Sequence, residues 1–210
     1  MTDPEPFRTV AGRGEARFEI RGSEFIGHVD RVDTVEAAEA FVDAVREEYD
    51  DATHNVPAYR VPAGETSPDR VNEVMIREYQ SDDGEPTGSS GKPALNVLQQ
   101  REIRNVVAVV TRYYGGTNLG VGGLARAYSR AVKEAVDDAG VEEVRPRHRF
   151  TVTVEYDDSG TVRGILDGAD CEFDAAYEAE VVFDVSTPVT ESDELRDRIQ
   201  SATSGRARIE

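Results

Sequence analysis

Two short stretches of this sequence carry residue types that could bind or transform a ligand. One is Asp82-Asp83-Gly84-Glu85-Pro86-Thr87-Gly88-Ser89-Ser90-Gly91-Lys92-Pro93; the other is Arg112-Tyr113-Tyr114-Gly115-Gly116-Thr117-Asn118-Leu119-Gly120-Val121-Gly122-Gly123. Asp82, Asp83 and Glu85 are carboxylates close enough in sequence to ligate magnesium or serve as a base. The favoured reading is a plainer one, a solvated Asp-Gly turn. Ser89 and Ser90, with Thr87, are hydroxyls in a glycine loop, but no histidine is near them in sequence and a nucleophile role is unsupported. His54, beside Asn55, is the one histidine worth placing at such a site, although a satisfied structural histidine is the plainer reading. Cys171 has no visible basic partner and reads as packing. No catalytic residue and no metal ligand is assigned, and no cofactor is expected.

The second loop has a more definite physical setting. Residues 106–110, Val-Val-Ala-Val-Val, read as a strand buried on both faces. From Leu124 onward the pattern is helical. A buried strand that feeds a loop, which then opens a helix, aims backbone N–H groups and a positive dipole end outward. Gly120, Gly122 and Gly123 would border that anion site. Arg126, Arg130 and Lys133, spaced by four and three, share one helix face. The opposite face, Leu124, Tyr128, Ala131 and Ala135, should be core. Lys92 and Arg112 join the basic set, and Tyr113 or Tyr114 could stack on a base. Two phosphate-loop motifs fail. Gly91-Lys92 is followed by Pro93 where a Walker loop needs Ser or Thr, and Pro86 stands where its first glycine belongs. Gly120-Val121-Gly122 lies too far beyond its strand for a dinucleotide fingerprint.

Charge singles out the same segment. The chain has 42 acidic and 24 basic residues, a net −18, yet residues 91–133 hold seven cations and the single acid Glu102. A basic segment on an acidic protein implies a local anionic partner. Lys92 and Lys133 are the only lysines; every other cation is arginine. Such an acid-rich, lysine-poor balance fits a halophile protein that stays solvated in concentrated salt. One cysteine excludes an internal disulfide. No run is long and apolar enough to cross a bilayer and no leader is evident, so the expectation is a cytoplasmic protein with no membrane partner.

The elements that must position these loops follow in order. After a loose terminus over 2–6, strands are predicted over 17–20 and 25–32, with the turn at 21–24. A helix follows, capped by Asp33 with Glu36 reaching back. Its apolar face is Val35, Ala38, Phe41, Val45 and Tyr49. A strand over 53–61, a loop over 62–69 and a weaker strand over 71–79 lead to the first glycine loop. A short helix over 94–100 comes next, then the buried strand, the second loop and a long helix ending at Gly140. Residues 141–147, with Pro146, read as a linker. From 148 to 210 the order strand–helix–strand–strand–helix–strand is ferredoxin-like. The predicted domains are therefore 1–140 and 148–210.

The first glycine loop, together with Val109-Val110-Thr111-Arg112-Tyr113-Tyr114-Gly115-Gly116 and Leu119-Gly120-Val121-Gly122-Gly123-Leu124-Ala125-Arg126-Ala127-Tyr128, resembles the IMPACT/YigZ family over about residues 21–136. The tail is similar to the small C-terminal domain of the family's prokaryotic members. Glu24 departs from the family pattern, which has a basic residue there; His54 keeps the histidine of its strand. The resemblance implies an α+β protein: a ribosomal protein S5 domain 2-like domain, then a domain like elongation factor G domain V. It also implies a class of function, because eukaryotic relatives regulate translation. The expectation is a non-enzymatic cytoplasmic regulator of translation that binds RNA, the ribosome or a translation-factor protein, and not DNA. The alternative is an enzyme or sensor that holds a small phosphorylated or carboxylated ligand between the two loops.

Overall fold

The computed structural model describes residues 6–64 and 75–210. Residues 2–5 of the expected terminus, most of the loop over 62–69 and the first part of the strand over 71–79 lie outside the described residues. The chain divides into two compact units, Phe7–Val144 and one holding Arg145–Glu210.

The first unit is built on strands β1 (Phe7–Val10), β2 (Gly14–Ile20), β3 (Ser23–Arg31), β4 (His54–Pro62), β5 (Ile76–Gln80), β6 (Val106–Tyr113) and β7 (Val141–Val144). Its helices are α1 (Val35–Glu48), α2 (Gly91–Gln100) and α3 (Val121–Ala139). The main sheet runs β2-β3-β6-β4-β5, with every neighbouring pair antiparallel. β6 is its centre. Val106, Ala108 and Val110 pack into the core with α2 and α3, while Val107 and Val109 pack into a second core with α1. A strand covered on both faces needs an uninterrupted apolar run, and this one has it.

α3 turns Leu124, Ala127, Tyr128, Ala131, Val132, Ala135 and Val136 inward, the period its sequence encodes. The helix lies close on the sheet at Gly27, where a Cβ would meet the Ala131 carbonyl oxygen at 2.4 Å. The β2–β3 hairpin turns on Arg21 and Gly22 alone, both with positive φ, tighter than the four-residue turn expected. Thr34, not Asp33, caps α1: its Oγ1 accepts from the Ala37 N–H at 3.1 Å. Asp33 instead accepts from Asn105 Nδ2 at 2.7 Å, a partner 72 residues away that no local motif predicts. Residues 141–144, expected as linker, form β7, paired with β1 from Phe7↔Val144 to Val10↔Val141. Four mostly exposed residues, two of them glutamates, carry no alternation strong enough to reveal it.

The second unit contains β8 (Arg147–Val154), α4 (Tyr156–Asp167), β9 (Glu172–Tyr177), β10 (Val181–Pro188), α5 (Val189–Ala202) and β11 (Arg208–Ile209). Its antiparallel sheet runs β11-β8-β10-β9, the ferredoxin-like arrangement. Phe150, Val152, Phe183 and Val185 of the sheet close on Val162 and Leu166 of α4 and on Leu195 and Ile199 of α5. Among the described residues no helix is long and apolar enough to cross a membrane.

Candidate functional site

The two glycine loops meet. Glu85 and Pro86 of the first, with Tyr114, Asn118, Leu119, Gly120 and Val121 of the second, line one cleft of about 480 Å³ together with Thr53, His54, Arg112 and Leu124. The start of β4 is tied to the end of β6 there, since the Tyr114 N–H donates to Thr53 Oγ1 at 2.9 Å and the Thr53 N–H to the Arg112 carbonyl at 2.9 Å.

Beneath the cleft lies a buried ionic cluster. Arg112 Nη1 donates to Glu85 Oε1 at 2.5 Å and the Tyr128 hydroxyl donates to the same oxygen at 2.8 Å. Both ionic side chains are about 95% or more out of solvent, at 5% and 3% exposure. Burial, then the charge of Glu85, pushes the Tyr128 hydroxyl far above its ordinary range, so it stays a proton donor. Ser23 Oγ braces the arginine, taking Arg112 Nη2 at 3.3 Å and the Gly115 N–H at 3.1 Å. His54 Nδ1 sits 2.7 Å from the Asp83 carbonyl, which can only accept; that contact holds a proton on Nδ1 and turns Nε2 toward Glu85 Oε1 at 3.8 Å.

The other acidic residues of the first loop serve the fold. Asp82 caps α2: its carboxylate accepts the N–H groups of Gly88, Ser90 and Gly91 at 2.7, 3.1 and 2.9 Å, and the Ser90 hydroxyl at 2.8 Å. Burial alone would raise the Asp82 carboxyl, but these hydrogen bonds outweigh it and hold the group below the usual carboxylate range. Asp83 takes the Asn55 N–H at 2.7 Å and Arg46 Nη2 at 3.4 Å. The three carboxylates face three different partners rather than one ion. Ser89 and Ser90 are fully buried, away from the cleft lining.

The basic residues divide into three sets. Arg112 is internal. Arg101 and Arg130 are neutralised by Asp137 at 2.5 Å and Glu134 at 2.8 Å. Arg126, Lys133 and Lys92 have no carboxylate partner among the described residues and are exposed. Arg126 and Lys133, with Arg101 and Arg130 and the acids Glu134 and Asp137 that pair them, line a groove of about 1040 Å³ between α2 and α3, which also holds Asn96, Gln100 and Ser129. Tyr113 donates its hydroxyl to Asp51 at 2.6 Å, which first of all raises its proton affinity, to about 12. Tyr114 is the exposed ring of the pair, at 46%, and its hydroxyl donates to Asn118 at 3.1 Å.

Ser23, Thr53, Asn118 and Tyr128 stand in or under the cleft without having been singled out in the sequence. Only Tyr128 left a signal: a tyrosine on a core-facing helix position needs a buried acceptor for its hydroxyl. The others depend on strand register.

These features describe a two-domain α+β protein whose larger unit presents a loop-walled cleft and a basic helical groove. Residues 21–136 match the family described as the Impact N-terminal domain, and residues 152–206 match a domain of unknown function, DUF1949. The chain belongs to the IMPACT family. It is 33% identical to the IMPACT family member YvyE of Bacillus subtilis, over 96% of this chain and 88% of that protein. With YigZ of Escherichia coli it shares 35% identity over 89% of this chain and 88% of the relative. A crystal structure described as that of a hypothetical protein superimposes with a TM-score of 0.64 at 32% identity, covering 98% of this chain and 96% of the other.

Proposed function

We propose that this protein is a cytoplasmic regulator of translation, not an enzyme, that docks the sugar-phosphate backbone of RNA, free or on the ribosome, in the groove between α2 and α3. One observation carries the reading: Arg126, Lys133 and Lys92 stand exposed, with no carboxylate partner among the described residues, on a chain of net charge −18. Acidic side chains are abundant enough to neutralise them, as Glu134 and Asp137 do for Arg130 and Arg101. Family membership supports the setting in translation. In concentrated salt the screening length is about 3 Å, so diffuse attraction is weak and contact hydrogen bonds must carry affinity. Arg126 supplies a planar, bidentate fork for such contacts, beside the point charges of Lys133 and Lys92.

The test is co-sedimentation with ribosomes and with RNA across a salt series, comparing wild type with Arg126→Glu/Lys133→Glu. The variant should sediment less, and the salt dependence of binding should flatten. Equal sedimentation of the two proteins removes the proposal. Retention after nuclease treatment would instead assign the groove to an acidic protein of the translation machinery.

A further inference from the structure

We infer that the cleft between the glycine loops docks a tryptophan side chain of a partner protein, with its indole N–H donating to His54 Nε2. Charge decides the class of occupant first. Glu85 and Arg112 both line the cleft and pair with each other, so its floor carries no net charge. An anionic group would meet the Glu85 carboxylate. An ammonium group would meet Arg112, whose guanidinium carbon lies 5.4 Å from the Tyr114 ring centroid. A neutral group meets neither penalty. The walls are largely carbon, from Pro86, Tyr114, Leu119, Val121 and Leu124. Val121 and Tyr114 stay 58% and 46% exposed, and both border this one cleft. The Tyr114 ring is a fixed wall, since its hydroxyl donates to Asn118 at 3.1 Å and the Arg112 guanidinium lies over it.

One polar atom then specifies the occupant. The Asp83 carbonyl accepts the Nδ1–H of His54 at 2.7 Å, so Nε2 presents a lone pair. Glu85 Oε1 faces it at 3.8 Å, a second acceptor that cannot satisfy it. The His54 side chain keeps 19% exposure, so a donor from outside can reach it. Phenylalanine has no donor to offer. A tyrosine hydroxyl would bring its own lone pairs against the Glu85 carboxylate, whereas the indole N–H only donates. The volume of about 480 Å³ is that of a pocket burying more than one ring. With an indole on the floor, the Val121 and Pro86 rim is left for apolar side chains beside the tryptophan, which a protein segment supplies and a free indole does not. Buried aromatic anchors of this kind dominate the affinity of protein interfaces. The chain's net charge of −18 repels an acidic segment, so the partner's is neutral or basic.

The chain contains no tryptophan, so indole fluorescence reports the ligand alone. The full chain is titrated with the capped peptide Ser-Leu-Trp-Leu-Ser, with the same peptide carrying an N-methylated indole or phenylalanine, and with N-acetyl-tryptophanamide. The nitrogen resonance of His54 Nε2 is followed alongside. The tryptophan peptide should shift its emission to the blue and move that resonance. N-methylation should weaken binding about fivefold or more, because it leaves the histidine acceptor covered and unmatched. Val121→Glu puts an acid in the first turn of α3, which favours the helix dipole, so melting temperature should hold or rise. Its charge on the apolar rim should nonetheless weaken the peptide by about fivefold or more. Lys133→Glu should leave peptide affinity unchanged, and Val121→Glu should leave sedimentation with RNA unchanged, so this site and the groove reading fail separately. The inference is overturned if the tryptophan peptide does not move the His54 resonance, or if the methylated or phenylalanine peptide binds as tightly. It is equally overturned if Val121→Glu binds like wild type, or if N-acetyl-tryptophanamide matches the peptide, which would make the cleft a pocket for a free indole.

Discussion

Arg112 of β6 and Glu85 of the first glycine loop form a buried ion pair of 2.5 Å across 27 residues of sequence, with Tyr128 on the same carboxylate oxygen. The pair locks the loop against the sheet, and it withdraws from solvent the arginine that the sequence offers as a phosphate contact. Its energetics are asymmetric, because removing one partner strands the other charge out of water. Glu85→Gln or Arg112→Met alone should each cost about 3–5 kcal/mol in denaturant unfolding. The double variant should cost clearly less than their sum. Simple additivity would show that the two charges do not depend on each other.

Asp82 gives the first loop a pH dependence. Its carboxyl is held below the ordinary range in the folded protein, so it contributes stability above the unfolded value near 3.8, and that contribution is lost as pH falls through the lower folded value. Asp82→Ala should lower stability at neutral pH by about 1–2 kcal/mol, the range for a lost helix cap. It should also flatten the acid limb of the stability profile. An unchanged acid limb would contradict the capping role.

His28 acts in a different pH window. It is 1% exposed on the α1 side of the sheet, against the Tyr49 ring and 3.5 Å from Thr111 Oγ1. Burial lowers its proton affinity, with Glu15 opposing. The unfolded chain therefore takes up a proton first, and stability present above about pH 6.5 should decline as pH falls from there toward the lower folded value. Thermal melts of wild type and His28→Gln between about pH 7.5 and 5 test this. The variant's slope should be the shallower, and equal slopes would assign the loss to other groups.

Gly27 reports on how closely α3 sits. Gly27→Ala forces a methyl against the Ala131 carbonyl and should cost about 1–3 kcal/mol or more, by overpacking. Gly12→Ala, where a Cβ meets nothing within 4 Å, should stay within about 0.5 kcal/mol of wild type. Equal stability of the two variants would mean that the helix shifts freely on the sheet.

Much of the architecture was written locally. The Val106–Tyr113 strand, the inward face of α3 and the element order of the second unit each follow from spacing along a few turns or strand repeats, where one residue's burial predicts its neighbour's. The family resemblance likewise rests on contiguous residues. Partnership across the fold had no such record. That Asp82 caps a helix while Glu85 neutralises Arg112, that Thr34 displaces Asp33 as a cap, and that residues 141–144 pair with β1 were decided by register between distant strands. A charge's sign and spacing are sequence properties, but whether it faces solvent or a carboxylate depends on which segments the closed sheet brings within hydrogen-bond reach. Hence the chain announced its basic segment in advance, and only the folded protein separated the cations held inside from those left on the groove.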